Sequence, residues 1–140
     1  MIYVWVDGSC RCNGSKNALS GIGLVAKRDG KNLFSIGRRV KGHTNNIAEY
    51  YAVIHALKEL RIYKQEDIVI YSDSKLVVCQ INENWNIISK PLKYLNNVVY
   101  TILKRIVFKS LVFKWIPREL NKEANKIAQN ITKYRGESDA

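Results

Sequence analysis

Two alternating stretches, Gly21 to Lys27 and Asn32 to Arg39, meet at Asp29-Gly30. An Asp-Gly pair tolerates the positive φ angles of a tight hairpin turn, so the two stretches are expected to pair antiparallel. Ahead of them Ile2, Val4 and Val6 alternate with Tyr3 and Trp5, which reads as a further strand. The later strands come singly, between helical patterns. Ile68 to Tyr71 and Leu111 to Ile116 are short apolar runs, the second closed by Pro117. The predicted order is β-β-β-α-β-α-α-β-α. A hairpin-connected half followed by α/β crossovers implies a mixed sheet covered by helices, not an all-parallel one.

The helices carry their own signals. From about Asn46 to Leu60, the residues Glu49, Ala52, Val53, Ala56 and Leu60 share one helical face. Glu49 thus leads a face that must pack on something, and a carboxylate there needs a basic or metallic partner to offset its desolvation. Ser72-Asp73-Ser74 ends a strand and opens a helix, with Asp73 or Ser74 as N-cap. Trp85 to Ser89 reads as a loop, and Pro91 suits the first turn of a helix reaching about Arg105. Asn121 is expected to cap a last helix with Ala124, Ile127, Ala128 and Ile131 inward. Asp7-Gly8-Ser9 reads as a break after the first strand, opening a polar loop through Asn17. Residues 1–135 are expected to form one domain and 136–140 a flexible tail.

At 140 residues the chain is long enough for one real core. It has no apolar run of membrane-spanning length, and its start is a strand pattern rather than a signal peptide. A soluble, cytoplasmic monomer is the expectation. Cys10, Cys12 and Cys79 have neither disulfide-framework nor zinc spacing and read as reduced thiols. The formal net charge of +11 favours a polyanionic partner, with nucleic acid the commonest. Asp7, Glu49 and Asp73 each stand at the end of an element. Carboxylates brought together from distant segments are what hard divalent cations need for phosphodiester hydrolysis.

Four segments, in order, match a known pattern. They are Val4-Trp5-Val6-Asp7-Gly8-Ser9-Cys10 with Asn13, Thr44-Asn45-Asn46-Ile47-Ala48-Glu49, Ile70-Tyr71-Ser72-Asp73-Ser74, and Trp115-Ile116-Pro117-Arg118-Glu119 with Asn121 to Ala128. Together they resemble the type 1 ribonuclease H family. The resemblance implies an α/β, ribonuclease H-like fold: a five-stranded mixed sheet flanked by helices on both faces. It implies endonucleolytic hydrolysis of the RNA strand of RNA–DNA hybrids with Mg2+ or Mn2+. By the same resemblance, Asp7, Glu49, Asp73 and the residue at position 125 hold two ions. One ion lowers the pKa of the attacking water and the other stabilises the leaving 3′ oxygen.

The chain departs from the family at Asn125, where active members carry aspartate. The amide is nearly isosteric but brings no charge, so one metal site is expected to weaken and activity to fall. Glu123 lies two residues earlier on the helix and points roughly 200° away, so it does not replace the lost acid. With the other motifs intact, the change reads as one deliberate inactivating substitution rather than decay. The connection Ile116 to Leu120 is short and lacks the histidine loop of bacterial members, as in the archaeal-like short branch. There Arg118 would lie by the site, assisting leaving-group or phosphate chemistry, or simply pairing with Glu119 or a phosphate.

The resemblance places Gly8, Ser9, Cys10, Asn13, Thr44, Asn45, Asn46 and Ser74 against the hybrid's minor groove and DNA phosphates. Asn amides and backbone groups suit a 2′-hydroxyl, which both donates and accepts. Asn45 and Asn46 are equally suited to holding a loop and capping a helix, and Ser74 to capping its own. Trp85, with Lys90 and Lys93, is open to either the DNA strand or the core. His55 is expected at the surface, beside Lys58 and Glu59. The competing reading is a binding module of this fold that recognises hybrid or double-stranded RNA without cutting. A third is a small basic protein sharing only the layout.

Overall fold

The computed structural model describes residues 1–11, 19–83 and 85–133. Its strands are β1 (Ile2–Arg11), β2 (Leu19–Arg28), β3 (Lys31–Val40), β4 (Asp67–Ser72) and β5 (Ser110–Trp115). Its helices are α1 (Asn45–Glu59), α2 (Lys75–Glu83), α3 (Lys90–Arg105) and α4 (Lys122–Ile131), with 3-10 turns at Leu60–Tyr63 and Arg118–Leu120. The five strands lie in the order β3-β2-β1-β4-β5. β1, β2 and β3 are antiparallel neighbours, whereas β4 runs parallel to both β1 and β5. This is the mixed sheet expected of a hairpin half joined to crossovers. Asp29 (φ 53°) and Gly30 (φ 75°) both take positive φ, as the hairpin turn requires.

One sheet face carries Ile2, Val4, Val6, Leu24, Ile68 and Ile70, all buried, and packs on α1 with α2 and α3 beyond it. On the opposite face α4 lies across β1, β2 and β3. Helices therefore flank the sheet on both sides. Between α1, α2 and α3 the polar core is satisfied internally. The Tyr50 hydroxyl donates to Gln80 Oε1 at 2.6 Å and accepts from Asn96 Nδ2 at 3.2 Å.

Asp7-Gly8-Ser9 does not break the first strand. β1 continues through it to Arg11, with Asp7 opposite Gly23, Gly8 opposite Ile22 and Ser9 opposite Gly21. The glycines answer helix approach rather than a turn. A Cβ on Gly8 would strike the α1 backbone at Ala48, and one on Gly23 the Ala124 carbonyl of α4. The rest of the expected loop, residues 12–18, lies outside the described residues, as do Asn84 and the expected tail.

Of the capping expectations, the one for α2 holds with one of its two candidates, and those for α1 and α4 do not. Thr44 caps α1, accepting from Ile47 N at 3.2 Å, so Asn45 and Asn46 are already inside the helix. Ser74 rather than Asp73 caps α2, accepting from Val77 N at 3.3 Å. Asn121 makes no side-chain cap; its Nδ2 donates instead to the Val6 carbonyl at 2.9 Å, tying the start of α4 to β1. Pro91 sits in the first turn of α3 as expected. Of the α4 stripe, Ala124 and Ala128 are buried, while Ile127 and Ile131 are half-buried over Gly37 and Gly21.

Candidate active site

β1 and β4 pair only as far as Val6 and Ser72. Past that pair the two parallel strands part, and the carboxyl ends of parallel strands are where open α/β sheets take ligands. Asp7 lies within β1, one residue past its last pair with β4, Asp73 follows directly on β4, and Glu49 enters from the first turns of α1. One carboxylate oxygen from each lies within 4.8 Å of the others. Asp7 and Glu49 are buried and Asp73 is half-buried.

Glu49 is held from both sides. Its Oε1 accepts from Gly8 N at 2.5 Å and its Oε2 from the Ser72 hydroxyl at 3.4 Å. The absence of a Cβ on Gly8 makes this approach possible, which links the glycine of β1 to the acid of α1. Asn125 reaches the same cluster from α4: its Nδ2 donates to Asp7 Oδ2 at 3.0 Å. The amide thus satisfies one oxygen of the most enclosed acid.

Crowded carboxylates in a buried place resist ionisation. Burial first, then the charge of Asp73, push the Asp7 carboxyl up from 3.8 to about 7, although Glu49, Asn125 and Arg118 each pull it down. Glu49 is raised well above its ordinary range, by burial and then by Asp7, with the Gly8 amide opposing. Near neutral pH the cluster therefore holds protons that a cation would displace.

The cluster floors a cavity of about 380 Å³ lined by Asp7, Gly8, Ser9, Cys10, Asn45, Asn46, Glu49, Asp73, Ser74, Arg118, Asn125 and Gln129. Most of the residues singled out from sequence are there together. Thr44 is not in the lining; it spends its hydroxyl on the α1 cap. Asn13 lies outside the described residues. Asn45 Oδ1 accepts from Cys10 N at 2.8 Å, closing one wall by joining β1 to α1. Gln129 was missed, though it stands four residues after Asn125 and so on the same face of α4. Among the described residues Arg118 has no ion pair, with Glu119 or any other acid, and its charge acts on Asp7.

Several other candidates lie elsewhere. Trp85 is 46% exposed and donates its Nε1 to Glu83 at 2.5 Å, so it is not a core aromatic. His55 is half-buried rather than superficial, because Arg38 of β3 crosses to it at 3.2 Å and also pairs with Glu59 at 2.5 Å. Burial and the Arg38 charge lower its pKa.

Residues 5–131 match the family model described as reverse transcriptase-like. The chain is also 36% identical over 84 residues to a ribonuclease H of Clostridium botulinum, across 60% of this chain and 54% of that protein. It belongs to the type 1 ribonuclease H family. It spans about half the length of the first curated relatives it matches. The RNase H1 of the halophilic archaeon Halobacterium salinarum superposes with a TM-score of 0.82 at 27% identity, covering 93% of this chain and 96% of that one. LC11-RNase H1, in a structure with an RNA/DNA hybrid, gives a TM-score of 0.84 at 28% identity over 94% and 96% of the two chains. This ribonuclease H-family chain therefore shares the fold of those proteins over nearly all of its length.

Proposed function

We propose that this chain is a divalent-cation-dependent ribonuclease H that cuts the RNA strand of RNA–DNA hybrids internally, at a rate lowered by Asn125. The observation that carries the reading is the convergence of the Asp7, Glu49 and Asp73 carboxylates within 4.8 Å. The family's relatives support it, among them the LC11 enzyme bound to hybrid.

The donor set fits a hard cation. It is carboxylate oxygen with amide oxygen nearby, the ligand chemistry of Mg2+ or Mn2+ rather than of zinc. Asp7, Glu49 and Asp73 would hold two such ions, Asn125 contributing at most a neutral oxygen. Bound there, the ions would supply an acidified water and charge compensation for the leaving 3′ oxygen. The protein's own groups do the rest. Arg118 faces the cavity and neutralises a scissile phosphate. The Asn45 and Asn46 amides and the Ser9 and Cys10 edge of β1 face the groove, where a 2′-hydroxyl distinguishes RNA. Ser74 and Gln129 complete the lining.

A second reading is favoured by one contact. The Asn125 amide already donates to Asp7 at 3.0 Å, so the cluster is partly satisfied without a second ion. That arrangement suits a module that binds hybrid, or double-stranded RNA, without cutting. Cleavage of a labelled hybrid by this chain and by Asn125→Asp, with Mg2+ and then Mn2+, separates the two. Faster cutting by Asn125→Asp supports the impaired nuclease. Inertness of both, with tight hybrid binding, moves the function to recognition.

A further inference from the structure

We propose that the part of the sheet left open beside α4 is a docking surface for single-stranded RNA, separate from the carboxylate cluster and independent of cleavage. α4 crosses β1, β2 and β3 on this face. Beyond it, over the start of β1 and over β4 and β5, the same face is open, with Val112 42% and Tyr3 39% exposed.

Strand register lays out what this face presents. Trp5 of β1 is level with Tyr71 of β4, which is level with Lys114 of β5, and Tyr3 is level with Lys27 of β2. In-register neighbours share a face, so the three aromatic rings form one patch flanked by two lysines. The rings already touch. Tyr3 and Tyr71 lie parallel at 6.3 Å between centroids, and Trp5 is 5.6 Å from Tyr71. The Lys27 ammonium stands 5.8 Å from the Trp5 ring while bonded to Glu123 at 3.3 Å. Among the described residues Lys114 has no ion pair, and it is exposed.

A second observation lies beside Trp5. A recess of about 190 Å³ is walled by Trp5, Lys27 and Asn121 among others. Asn121 must donate its Nδ2 to the Val6 carbonyl, which leaves Oδ1 as the acceptor. That oxygen is buried without a hydrogen-bond partner, the only such side-chain atom among the described residues.

Aromatic rings on an open sheet, edged by lysines, match the way single strands are taken: bases stack on the rings and phosphates meet the cations. A duplex keeps its bases stacked inside and cannot use the rings. The phenols of Tyr3 and Tyr71 add partners for a 2′-hydroxyl, which selects RNA over DNA. The chain's net charge of +11 acts in the same direction.

The test is fluorescence anisotropy in EDTA, so that no cleavage is needed, with labelled oligocytidylate of about 12 nucleotides, its DNA counterpart and an RNA–DNA hybrid. The expected result is tighter binding of the RNA than of the DNA oligomer. Trp5→Leu and Tyr71→Leu should each weaken it about tenfold or more, with hybrid affinity and circular dichroism unchanged. Lys114→Glu, at an exposed position that no packing depends on, should weaken RNA binding as well. Unchanged RNA affinity in all three variants overturns the proposal. So does an equal loss for hybrid, which would assign the face to the hybrid site. Equal binding of the DNA oligomer overturns the choice of RNA. A concentration-dependent dimer that Trp5→Leu abolishes would make a second copy of the chain the occupant instead.

Discussion

Replacing Asp7 by Asn should make the metal-free protein more stable, even though it removes the residue proposed to hold the cations. Asp7 is only 3% exposed, and burial and Asp73 raise its carboxyl from 3.8 to about 7. A group whose folded-state pKa is raised adds stability that is fully present below the unfolded value and is lost as pH climbs through the folded one. The loss therefore sets in near pH 4 and is complete a little above pH 7. Its full size is about 4 kcal/mol, at ~1.4 kcal/mol for each decade of pH between the two values. The substituted amide keeps an oxygen for the Asn125 donor and gains an NH2 toward Glu49, but it is a weaker acceptor by about 1 kcal/mol. The net gain at pH 8 is then about 2 to 3 kcal/mol, or roughly 10 °C in Tm for a domain of this size. The assay is thermal melting by circular dichroism in EDTA at pH 5 and pH 8, repeated with Mg2+. Asp7→Asn should melt well above the parent at pH 8 and show a smaller advantage at pH 5. Adding Mg2+ should raise the Tm of the parent more than that of the variant, because only a ligand that binds the native state raises Tm. An increment that is the same at both pH values, or a lower Tm at pH 8, would refute the account of the cluster as mutually repelling acids.

Asn125→Asp should do the reverse, replacing a donor to Asp7 by another acid. Its metal-free Tm at pH 8 should fall below the parent's, and its Mg2+-induced rise should be the larger, both read in the same melts. Gly23→Ala should cost about 2 kcal/mol or more in urea unfolding, since the added Cβ meets the Ala124 carbonyl and lies 2.9 Å from Ala128 N. It should also reduce hybrid cleavage, because α4 carries Asn125 and Gln129. Arg118→Ala should leave stability within about 0.5 kcal/mol, as the side chain has no ion pair among the described residues to lose, while steady-state hybrid cleavage drops. Hybrid affinity should fall steeply with salt, and less steeply in Arg118→Ala if that guanidinium meets a phosphate.

The periodic parts of this chain were legible because each local pattern had one geometric meaning. Asp29-Gly30 allowed a hairpin and little else, and Glu49 at the head of an apolar helical face had to point inward. Family order then identified Asp7, Asp73 and Asn125, which local pattern alone could not join, since their proximity depends on β1 and β4 parting beyond Val6 and Ser72. What misled was ambiguity of residue type. Gly8 carries the same letter as a turn glycine, but its meaning lies in α1, whose backbone at Ala48 packs across it from a distant part of the chain, as α4 packs across Gly21 and Gly23. Asn121 likewise looks like a cap by position and is instead a tie to the Val6 carbonyl. The same non-local cause hid the open aromatic face. Tyr3 and Trp5 read as the outer positions of an ordinary strand, and Tyr71 as the end of a short apolar run, until parallel pairing set β4 beside β1 and the reach of α4 stopped short of them. A site made by one strand's own sequence can be read from that sequence, whereas one made by where a helix ends must be seen in the fold.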